Sequence, residues 1–401
     1  MALGDQRRKL AALPGVRSVR RPVTPGAAEQ FDLDYVRTGP AGRTPLVIIP
    51  GGPGMASIAG YQGLRRRAAE MGLDVIMVEH RGVGLSRRDD SGADLPPAAL
   101  TIEQVVDDVA AVLDHACVSS AVVYGASYGS YLAAGVGVRH GALVQAMVLD
   151  SPLLNRHDFE VVRSQARDLL WNDDTALAAK VRALTEAGSL EPEDLTMAAA
   201  IYGVGGADLL ERHLDLLLDG RRLLWKTMRQ VGLHAARRKT PYRNEADLVA
   251  PIGFRELNFA GTPDGLPLDT VLTWRNAVAA GTPFEHEPFD LVAAMPGFGW
   301  PTVVISGGLD LITPGAVADR ISGLVADPAP VRLPTAGHSA LDIRQQAALR
   351  IAGEVVAGNA HRLPAQAREL DALPAESGVR IMSAGLAVAA RVGAFLPRLT
   401  S

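Results

Sequence analysis

The residues of this chain with the clearest chemical potential are a serine and the glycines around it. Gly125-Ala-Ser-Tyr-Gly129 follows an apolar run, Val122 to Tyr124, and precedes small residues with helical spacing. This pattern is typical of a strand, a tight turn and a helix, with the serine hydroxyl exposed at the turn. Because a serine hydroxyl is a weak nucleophile at neutral pH, it needs a base that is oriented by a carboxylate. We predict that Ser127 is a nucleophile.

Among the nine histidines, His338 has the sequence context expected of that base. It follows a predicted late strand and lies C-terminal to Asp310, which ends another predicted strand. Serine, aspartate and histidine occur in this chain order in one class of catalytic triads. We predict that Asp310 orients His338. Asp150 also ends a strand and is the alternative acid, although capping the chain at that point is its simpler role; Asp342 is expected to be solvated.

Two backbone N–H groups are predicted to stabilise the negative charge that develops on the attacked carbonyl oxygen. The first belongs to Tyr128, directly after the nucleophile. The second is assigned to Gly52, in the loop Pro50-Gly-Gly-Pro-Gly54 that follows an apolar run. Pro53 has no N–H to donate, and no Gly-Lys-Ser/Thr follows, so a phosphate-binding loop is disfavoured. Each such donor contributes about 3 kcal/mol to transition-state stabilisation.

The elements that must position these residues alternate between strands and helices. Apolar runs at 45–50, 74–79, 122–124 and 144–149 predict buried strands, and 102–115 has a helical apolar face after a Thr cap. Alternating runs at 16–20 and 31–36 predict outer strands. The alternation resumes after residue 300, with strands at 301–306 and 330–333 and helices at 315–325 and 341–357. The pattern indicates an α/β fold: a mostly parallel central sheet with helices on both faces.

Four segments are expected along the chain. Residues 1–152 form the first half of the core, with the nucleophile and oxyanion loops, and 299–365 form the second half, with the acid and the histidine. Residues 153–298 read as a mainly helical lid, with a polar joint at 237–252. The apolar tail, 366–401, is expected to form a helix on the core or on a second copy, which would make a homo-oligomer. Membrane-surface contact and disorder are the alternatives.

Net charge, cysteine count and the length of the apolar runs limit which partners and locations are expected. The formal net charge is −4, so a nucleic acid is not expected as a partner. The single cysteine, Cys117, allows no intramolecular disulfide and is expected to be a small buried residue. No cofactor or metal site is predicted. No apolar run is long enough for a membrane span, and no secretory signal is recognised, so we expect a cytoplasmic protein.

Several motifs together resemble one branch of the α/β-hydrolases, the prolyl iminopeptidases and tripeptidyl aminopeptidase-like enzymes. They are Pro50-Gly-Gly-Pro-Gly54, Glu79-His-Arg-Gly-Val-Gly-Leu-Ser86, Gly125-Ala-Ser-Tyr-Gly129, Gly308-Leu-Asp-Leu-Ile-Thr-Pro314 and Gly337-His338. The resemblance implies an α/β-hydrolase fold with a lid domain and a serine peptidase that releases residues from peptide N-termini. Pro50 and Glu79 depart from the family's usual His and Asp, and its Trp-x-x-Trp-Glu lid pattern, which supplies an acid for the substrate amine, is missing.

The substrate is predicted less closely than the chemistry. An aminopeptidase needs an anion for the substrate's ammonium group, and the candidates in the lid are Glu160, Asp173, Asp174, Glu211, Glu256, Glu285 and Glu287. Each is more simply a solvated helix residue. From the family resemblance we expect an aminopeptidase acting on short peptides or aminoacyl amides. An esterase, thioesterase, lactonase or acyltransferase on a small acyl or secondary-metabolite substrate is the alternative, and a non-catalytic binding protein is a remote one.

Overall fold

An eight-stranded sheet forms the centre of the protein, whose computed structural model describes residues 3–191, 194–237, 239–272 and 282–398. The strands lie in the order β1-β2-β4-β3-β5-β6-β7-β8. β2 pairs antiparallel with both β1 and β4, and all other pairs are parallel. The predicted mostly parallel sheet is confirmed. The strands are β1 (Val16–Pro22), β2 (Gln30–Thr38), β3 (Leu46–Ile49), β4 (Val75–Val78), β5 (Ala121–Ala126), β6 (Val144–Asp150), β7 (Thr302–Gly307) and β8 (Pro328–Leu333).

Helices flank this sheet and also fill the chain between β6 and β7. Before β6 they are α1 (Leu3–Ala11), α2 (Ser57–Gly60), α3 (Gln62–Glu70), α4 (Ile102–His115) and α5 (Tyr128–His140). Between β6 and β7 they are α6 (Asp158–Arg167), α7 (Ala176–Glu186), α8 (Asp194–Leu218), α9 (Leu223–Arg237), α10 (Ala246–Leu257) and α11 (Leu291–Ala294). After β7 they are α12 (Gly315–Leu324), α13 (Ala340–Ile343), α14 (Gln345–Val356), α15 (Leu363–Asp371) and α16 (Ser377–Gly393).

Side chains of the central strands alternate between two apolar layers. In β3, Val47 and Ile49 pack into a core with α4, α5 and α12. Leu46 and Ile48 point the other way, into a core with α3, α14 and α15. Successive side chains of a strand point to opposite faces, and a sheet covered on both faces therefore has continuously apolar strands. This explains why the strands read as unbroken apolar runs.

The helical segment between β6 and β7 has its own small apolar core, built mainly from α7 and α8. One predicted boundary there was wrong, because residues 237–252 were expected to be a polar joint and α10 begins at Ala246. Buried residues such as Val249, Ile252 and Phe254 hold this helix on the main core in spite of Pro251 within it. Tertiary packing thus outweighs the helix-breaking tendency that guided the prediction.

The C-terminal residues form helices. α15 packs on β8 and lies across the predicted boundary at residue 365. α16 packs on α8, where the His213 ring lies 3.2 Å from the Leu386 carbonyl oxygen. Its other face exposes apolar side chains, including Ile381 at 73%, and Phe395, two residues after the helix ends, is 88% exposed. No helix in the described parts of the chain is long and apolar enough to cross a membrane.

Cys117 is exposed, so the prediction that it is buried was wrong. It directly follows the end of α4, with φ at 54°. Its N–H donates to the Asp114 carbonyl, and the next N–H, of Val118, donates to Leu113. This left-handed turn closes the helix and directs the residue outward, a position that glycine usually occupies. The helix end therefore determines the exposure of Cys117.

Candidate active site

Ser127 occupies the tight turn between β5 and α5 that the sequence predicts. Its backbone is strained, with φ 51° and ψ −123°, and its N–H donates to the Asp150 carbonyl oxygen at 2.8 Å. A Cβ at Gly125 would lie 2.2 Å from the Gly129 carbonyl oxygen, and one at Gly129 would lie 2.2 Å from that of Ile49. Both positions therefore require glycine, and the crossing of β3, β5 and α5 fixes the serine in this turn.

The structure brings His338 and Asp310 to Ser127. His338, in the loop after β8, has Nε2 2.9 Å from the Ser127 hydroxyl oxygen. Its Nδ1 lies 2.9 Å from Oδ2 of Asp310, in the loop after β7. Because β5, β7 and β8 run parallel, their carboxyl ends meet at one edge of the sheet and their exit loops can contact each other there. A serine, an imidazole and a carboxylate in this arrangement can transfer a proton during nucleophilic attack.

Electrostatics around the pair agree with such a role. Burial alone would raise the pKa of Asp310, but the neighbouring His338 and the N–H groups of Thr313 and Ile312 lower it overall. Burial alone would lower the pKa of His338, yet the Asp310 carboxylate beside it raises that pKa above its ordinary value. Asp310 therefore stays ionised, and His338 gains basicity from it.

Asp150 ends β6, and its carboxylate caps a segment other than the expected one. Its carboxylate accepts the N–H groups of Ala340 and Leu341, at 3.0 and 2.8 Å, and the Tyr124 hydroxyl at 2.9 Å. Burial raises the pKa of Asp150 to about 6. The physical reason is topological: β6 ends beside α13, the helix that follows His338. Asp150 thereby ties the nucleophile turn to the histidine loop.

Asp342 was expected to be solvated, and this was wrong. It lies in α13 and is only partly exposed. Its carboxylate accepts hydrogen bonds from the Tyr61 and Ser339 hydroxyls, both at 2.7 Å. Tyr61 precedes α3, on the face of the sheet that α14 also covers. The partner thus comes from a distant part of the chain, which local sequence could not show.

Three polar residues around the site were given no role by sequence reasoning, although one of them, Thr313, lies within the quoted motif Gly308–Pro314. The Thr313 hydroxyl lies 3.0 Å from Asp310 Oδ2 and 2.9 Å from the Ser151 carbonyl oxygen. The Ser151 hydroxyl accepts the Ser339 N–H at 3.0 Å. Ser151 and Ser339 both have positive φ, of 48° and 64°. Strained residues commonly cluster at functional sites, and here they link the loops that carry the predicted triad.

The two predicted oxyanion donors lie close to the serine. Tyr128 is the first residue of α5, so its N–H is among those at a helix start that have no acceptor within the helix. Gly52, with φ at 129°, lines the same pocket as Ser127. The preceding residue, Gly51, packs against the serine, because a Cβ at Gly51 would lie 3.2 Å from the Ser127 Cβ. The arrangement can place two backbone dipoles beside a reacting carbonyl.

A pocket opens above Ser127 between the sheet edge and the helical segment. Most of its wall is apolar and is contributed by Leu153, Phe159, Val162, Leu257, Phe259, Val271 and Ile312. Tyr131 from α5 also lines it, with its hydroxyl 3.0 Å from the Phe289 carbonyl oxygen. Such a cleft, apolar with a few polar groups beside a nucleophile, is the usual form of a small-molecule site.

Of the described residues that line this pocket, one carries a carboxylate: Asp158, in the first turn of α6. Oδ2 accepts the N–H groups of Leu154 and Asn155 at 2.6 and 3.1 Å. Oδ1 is buried and has no hydrogen-bond partner among the described residues. Burial raises the pKa of Asp158 to about 7; the Leu154 and Asn155 N–H groups and the positive charge of Arg320 oppose this shift, and Glu287 adds a smaller raising effect. An unsatisfied buried acceptor is costly, so this oxygen is suited to a donor that arrives with a ligand.

Sequence reasoning missed Asp158 and named other acids instead. Asp173 and Asp174 are exposed and are not among the residues that line the pocket at Ser127, and Glu160 is 55% exposed beside His157. The others are engaged elsewhere: Glu211 pairs with Lys180, Glu256 accepts the Ile102 N–H, and Glu285 lies near Arg255. Of the seven candidates, Glu287 alone is near the site, 3.4 Å from the Tyr131 hydroxyl. Asp158 gave no signal, because a first-turn aspartate usually just caps a helix.

Comparisons with known proteins agree with this architecture. Residues 44–188 match a family model described as the alpha/beta hydrolase fold. Proline iminopeptidase from Mycobacterium smegmatis superposes with a TM-score of 0.55 at 17% identity, covering 86% of this chain and 99% of that one. Est816, described as an N-acyl homoserine lactone degrading enzyme, gives 0.44 at 17% identity, covering 82% and 95%.

A thermophilic esterase from Thermogutta terrifontis gives a TM-score of 0.44 at 15% identity, with 88% of this chain and 99% of that chain covered. No curated protein matches the sequence. The likeness to the proline iminopeptidase, at 17% identity, concerns the fold alone. The order and direction of the strands, and the turn that presents Ser127, are those of that fold.

Proposed function

We propose that this chain, which belongs to the α/β-hydrolase superfamily, is a serine hydrolase acting through an acyl-enzyme on Ser127. His338 takes the proton of the Ser127 hydroxyl as the oxygen attacks the substrate carbonyl, and Asp310 stabilises the resulting imidazolium. The N–H groups of Gly52 and Tyr128 receive the oxyanion. His338 then gives its proton to the leaving group, and water releases the acyl group by the same steps. The hydrogen-bonded chain from Asp310 to Ser127 supports this mechanism.

The proposed activity is that of an aminopeptidase on short peptides or aminoacyl amides. The observation that carries it is Asp158, a residue that lines the same pocket as Ser127 and whose buried Oδ1 has no hydrogen-bond partner among the described residues. An ammonium group is the donor that best satisfies a buried carboxylate oxygen, since it also neutralises the charge. Glu287, beside Tyr131, adds negative potential at this wall. The motifs that resemble the prolyl iminopeptidase branch agree with this activity.

Two measurements test the chemistry and the substrate separately. Ser127 should be the residue labelled by a fluorophosphonate, as mapped by peptide mass spectrometry; an adduct elsewhere, or none, would refute the mechanism. An aminoacyl anilide with a free amine should be hydrolysed at least about tenfold more efficiently than its N-acetylated form. Asp158→Asn should raise the KM for the free-amine substrate by about 10- to 100-fold and leave that for the acetylated one nearly unchanged.

An esterase or a related acyl-transfer enzyme is the second candidate, and the apolar wall of the pocket favours it. Side chains such as Leu153, Val162 and Ile312 would suit an acyl chain without charge. Hydrolysis of acyl esters with peptides and anilides inert would establish this activity in place of the peptidase. In that case Asp158→Asn would not discriminate between charged and neutral substrates.

A further inference from the structure

A segment of the helical insertion lies directly against the predicted oxyanion loop. We call residues 243–247 the strap and residues 50–56 the oxyanion loop. The Ala56 N–H donates to the Arg243 carbonyl at 3.0 Å, and the Glu245 N–H donates to the Gly54 carbonyl at 2.9 Å. A Cβ at Gly54 would lie 2.7 Å from the Ala246 Cα. The two backbones are therefore in contact, with no room for a side chain between them.

The Glu245 side chain extends this contact to a second core loop. It is 4% exposed, and Oε2 accepts the Gly84 N–H at 2.6 Å. The same loop is bound from the other side, because Glu79 accepts the Leu85 N–H at 3.3 Å. Glu79 also accepts the Ser57 N–H at 2.6 Å, just after the oxyanion loop. Two buried carboxylates, Glu79 from the core and Glu245 from the insertion, thus bond to segments that lie next to the oxyanion loop.

The other side of the oxyanion loop faces the nucleophile turn. Gly51 approaches the Ser127 side chain, and a Cβ at Gly129 would lie 2.4 Å from the Pro50 carbonyl oxygen. The loop is therefore held between the nucleophile turn and the strap, and Gly52 lies within this layer. Displacement of the strap would move the Gly52 N–H relative to Ser127. Displacements of about 1 Å in such a group cost on the order of 100-fold in rate.

The strap is also anchored to the core by charge. Arg87, which is mostly buried, bonds to both carboxylate oxygens of Asp247 at 2.9 and 2.8 Å. The same guanidinium bonds to Asp94. Paired contacts of this kind fix direction as well as distance. The strap is thus a rigid connection, and the insertion is joined to the core at the loop that carries Gly52.

We propose that Glu245 is a positioning residue for the oxyanion loop, so that the insertion supplies part of the catalytic geometry as well as the pocket wall. The inference rests on the proposed serine hydrolase function. Through its bond to the Gly84 N–H, the Glu245 side chain fixes the strap, and the backbone bonds of the strap to Gly54 and Ala56 in turn hold the oxyanion loop beside Ser127. Its effect falls on the transition state, because the oxyanion forms only there.

The test is Glu245→Ala, compared with Glu245→Gln and with Asp194→Ala. Asp194 is a matched control because it is also a buried carboxylate of the insertion. It bonds to Trp225 Nε1 and the Glu191 N–H, and neither partner belongs to the oxyanion loop or the strap. Glu245→Ala should lower kcat by about 10- to 100-fold with KM changed less than about threefold, on amide and ester substrates alike. Glu245→Gln, which keeps an acceptor for Gly84, should recover most of kcat, and Asp194→Ala should leave it unchanged.

Hydrogen exchange of the 50–58 amides gives a readout that does not depend on turnover. Glu245→Ala should accelerate exchange there, whereas Asp194→Ala should not. Unchanged kcat and exchange in folded Glu245→Ala would overturn the inference, as would a loss confined to KM or equal in both alanine variants. An inactive wild type that is not labelled at Ser127 would instead overturn the proposed function, while the exchange data would still decide whether Glu245 holds the loop.

Discussion

His338 Nε2 lies 2.9 Å from the Ser127 hydroxyl oxygen, although 211 residues separate the two in the chain. Between them in sequence lie the whole helical insertion and β7. The contact forms because β5 and β8 end at the same edge of one parallel sheet. The proposed chemistry therefore depends on the sheet as a whole, and the insertion can vary in shape without separating the two residues.

Removing the base should abolish turnover without unfolding the protein. The His338 side chain is 22% exposed, so His338→Ala replaces a mostly buried ring and leaves a small cavity at the sheet edge. We expect kcat to fall by on the order of 10⁴-fold, while the thermal midpoint shifts by only a few degrees. Steady-state kinetics and circular dichroism melts provide the measurements. Retention of more than a tenth of kcat in the folded variant would remove His338 from the mechanism.

The role of Asp310 as the acid can be tested by making the same Asp→Asn substitution at Asp310 and at Asp342. Asp310→Asn should lower kcat by about 10⁴-fold, because the amide no longer stabilises the imidazolium or its tautomer. Asp342→Asn serves as the control, since Asp342 bonds to Tyr61 and Ser339 and not to the histidine. Near-normal activity of Asp310→Asn would return the acid role to Asp150.

Much of the core could be predicted from sequence because its signals are local. The buried strands are continuous apolar runs, and α4 begins after Thr101, whose side chain accepts the Gln104 N–H. Gly125 and Gly129 are required by backbone contacts that only glycine permits. The order Ser127, Asp310, His338 follows from the order of strands in a parallel sheet. The structure brings these three together, and their catalytic roles stay predictions.

The pocket could not be predicted because its chemistry depends on burial. Asp158 differs from exposed Glu160 only in which way the first turn of α6 faces, and local composition does not fix that direction. The tie from Asp150 to α13 joins segments about 190 residues apart. Ser151 and Ser339 owe their strained backbones to the loops they join. These features follow from the assembled sheet edge, which no short stretch of sequence encodes.

The buried carboxylate of Asp158 should lower the free energy of unfolding at neutral and alkaline pH. Burial raises its pKa to about 7, so the folded protein binds a proton that the unfolded chain releases near pH 4. Stability therefore falls as pH rises from about 4 to about 7. At pH 8, Asp158→Asn should be more stable than wild type by about 1 to 3 kcal/mol, with little difference at pH 4. Urea unfolding at both values is the measurement, and a destabilised variant at pH 8 would contradict the assigned burial cost.

The pH dependence should differ between charged and neutral substrates. For a neutral ester, kcat/KM should rise once, as His338 loses its proton above its ordinary pKa. For a free-amine substrate, the rise should be steeper below about pH 7, because protonated Asp158 cannot pair with an ammonium group. It should fall again above about pH 8, where the substrate's α-amino group deprotonates. Asp158→Asn should remove the extra steepness, and identical profiles for both substrates would exclude an ammonium subsite.

The two faces of α16 predict two separable effects. Ala390 and Gly393 are buried, and Leu386 packs into the apolar core of the insertion. Ending the chain after Glu376 should therefore lower the thermal midpoint, by the loss of about 2 kcal/mol of apolar burial. Phe395→Ser, at a side chain that is 88% exposed, should leave the midpoint unchanged. If a second copy covers this face, Phe395→Ser and Ile381→Ser should convert an oligomer into a monomer in light scattering, and a monomeric wild type would refute association through the tail.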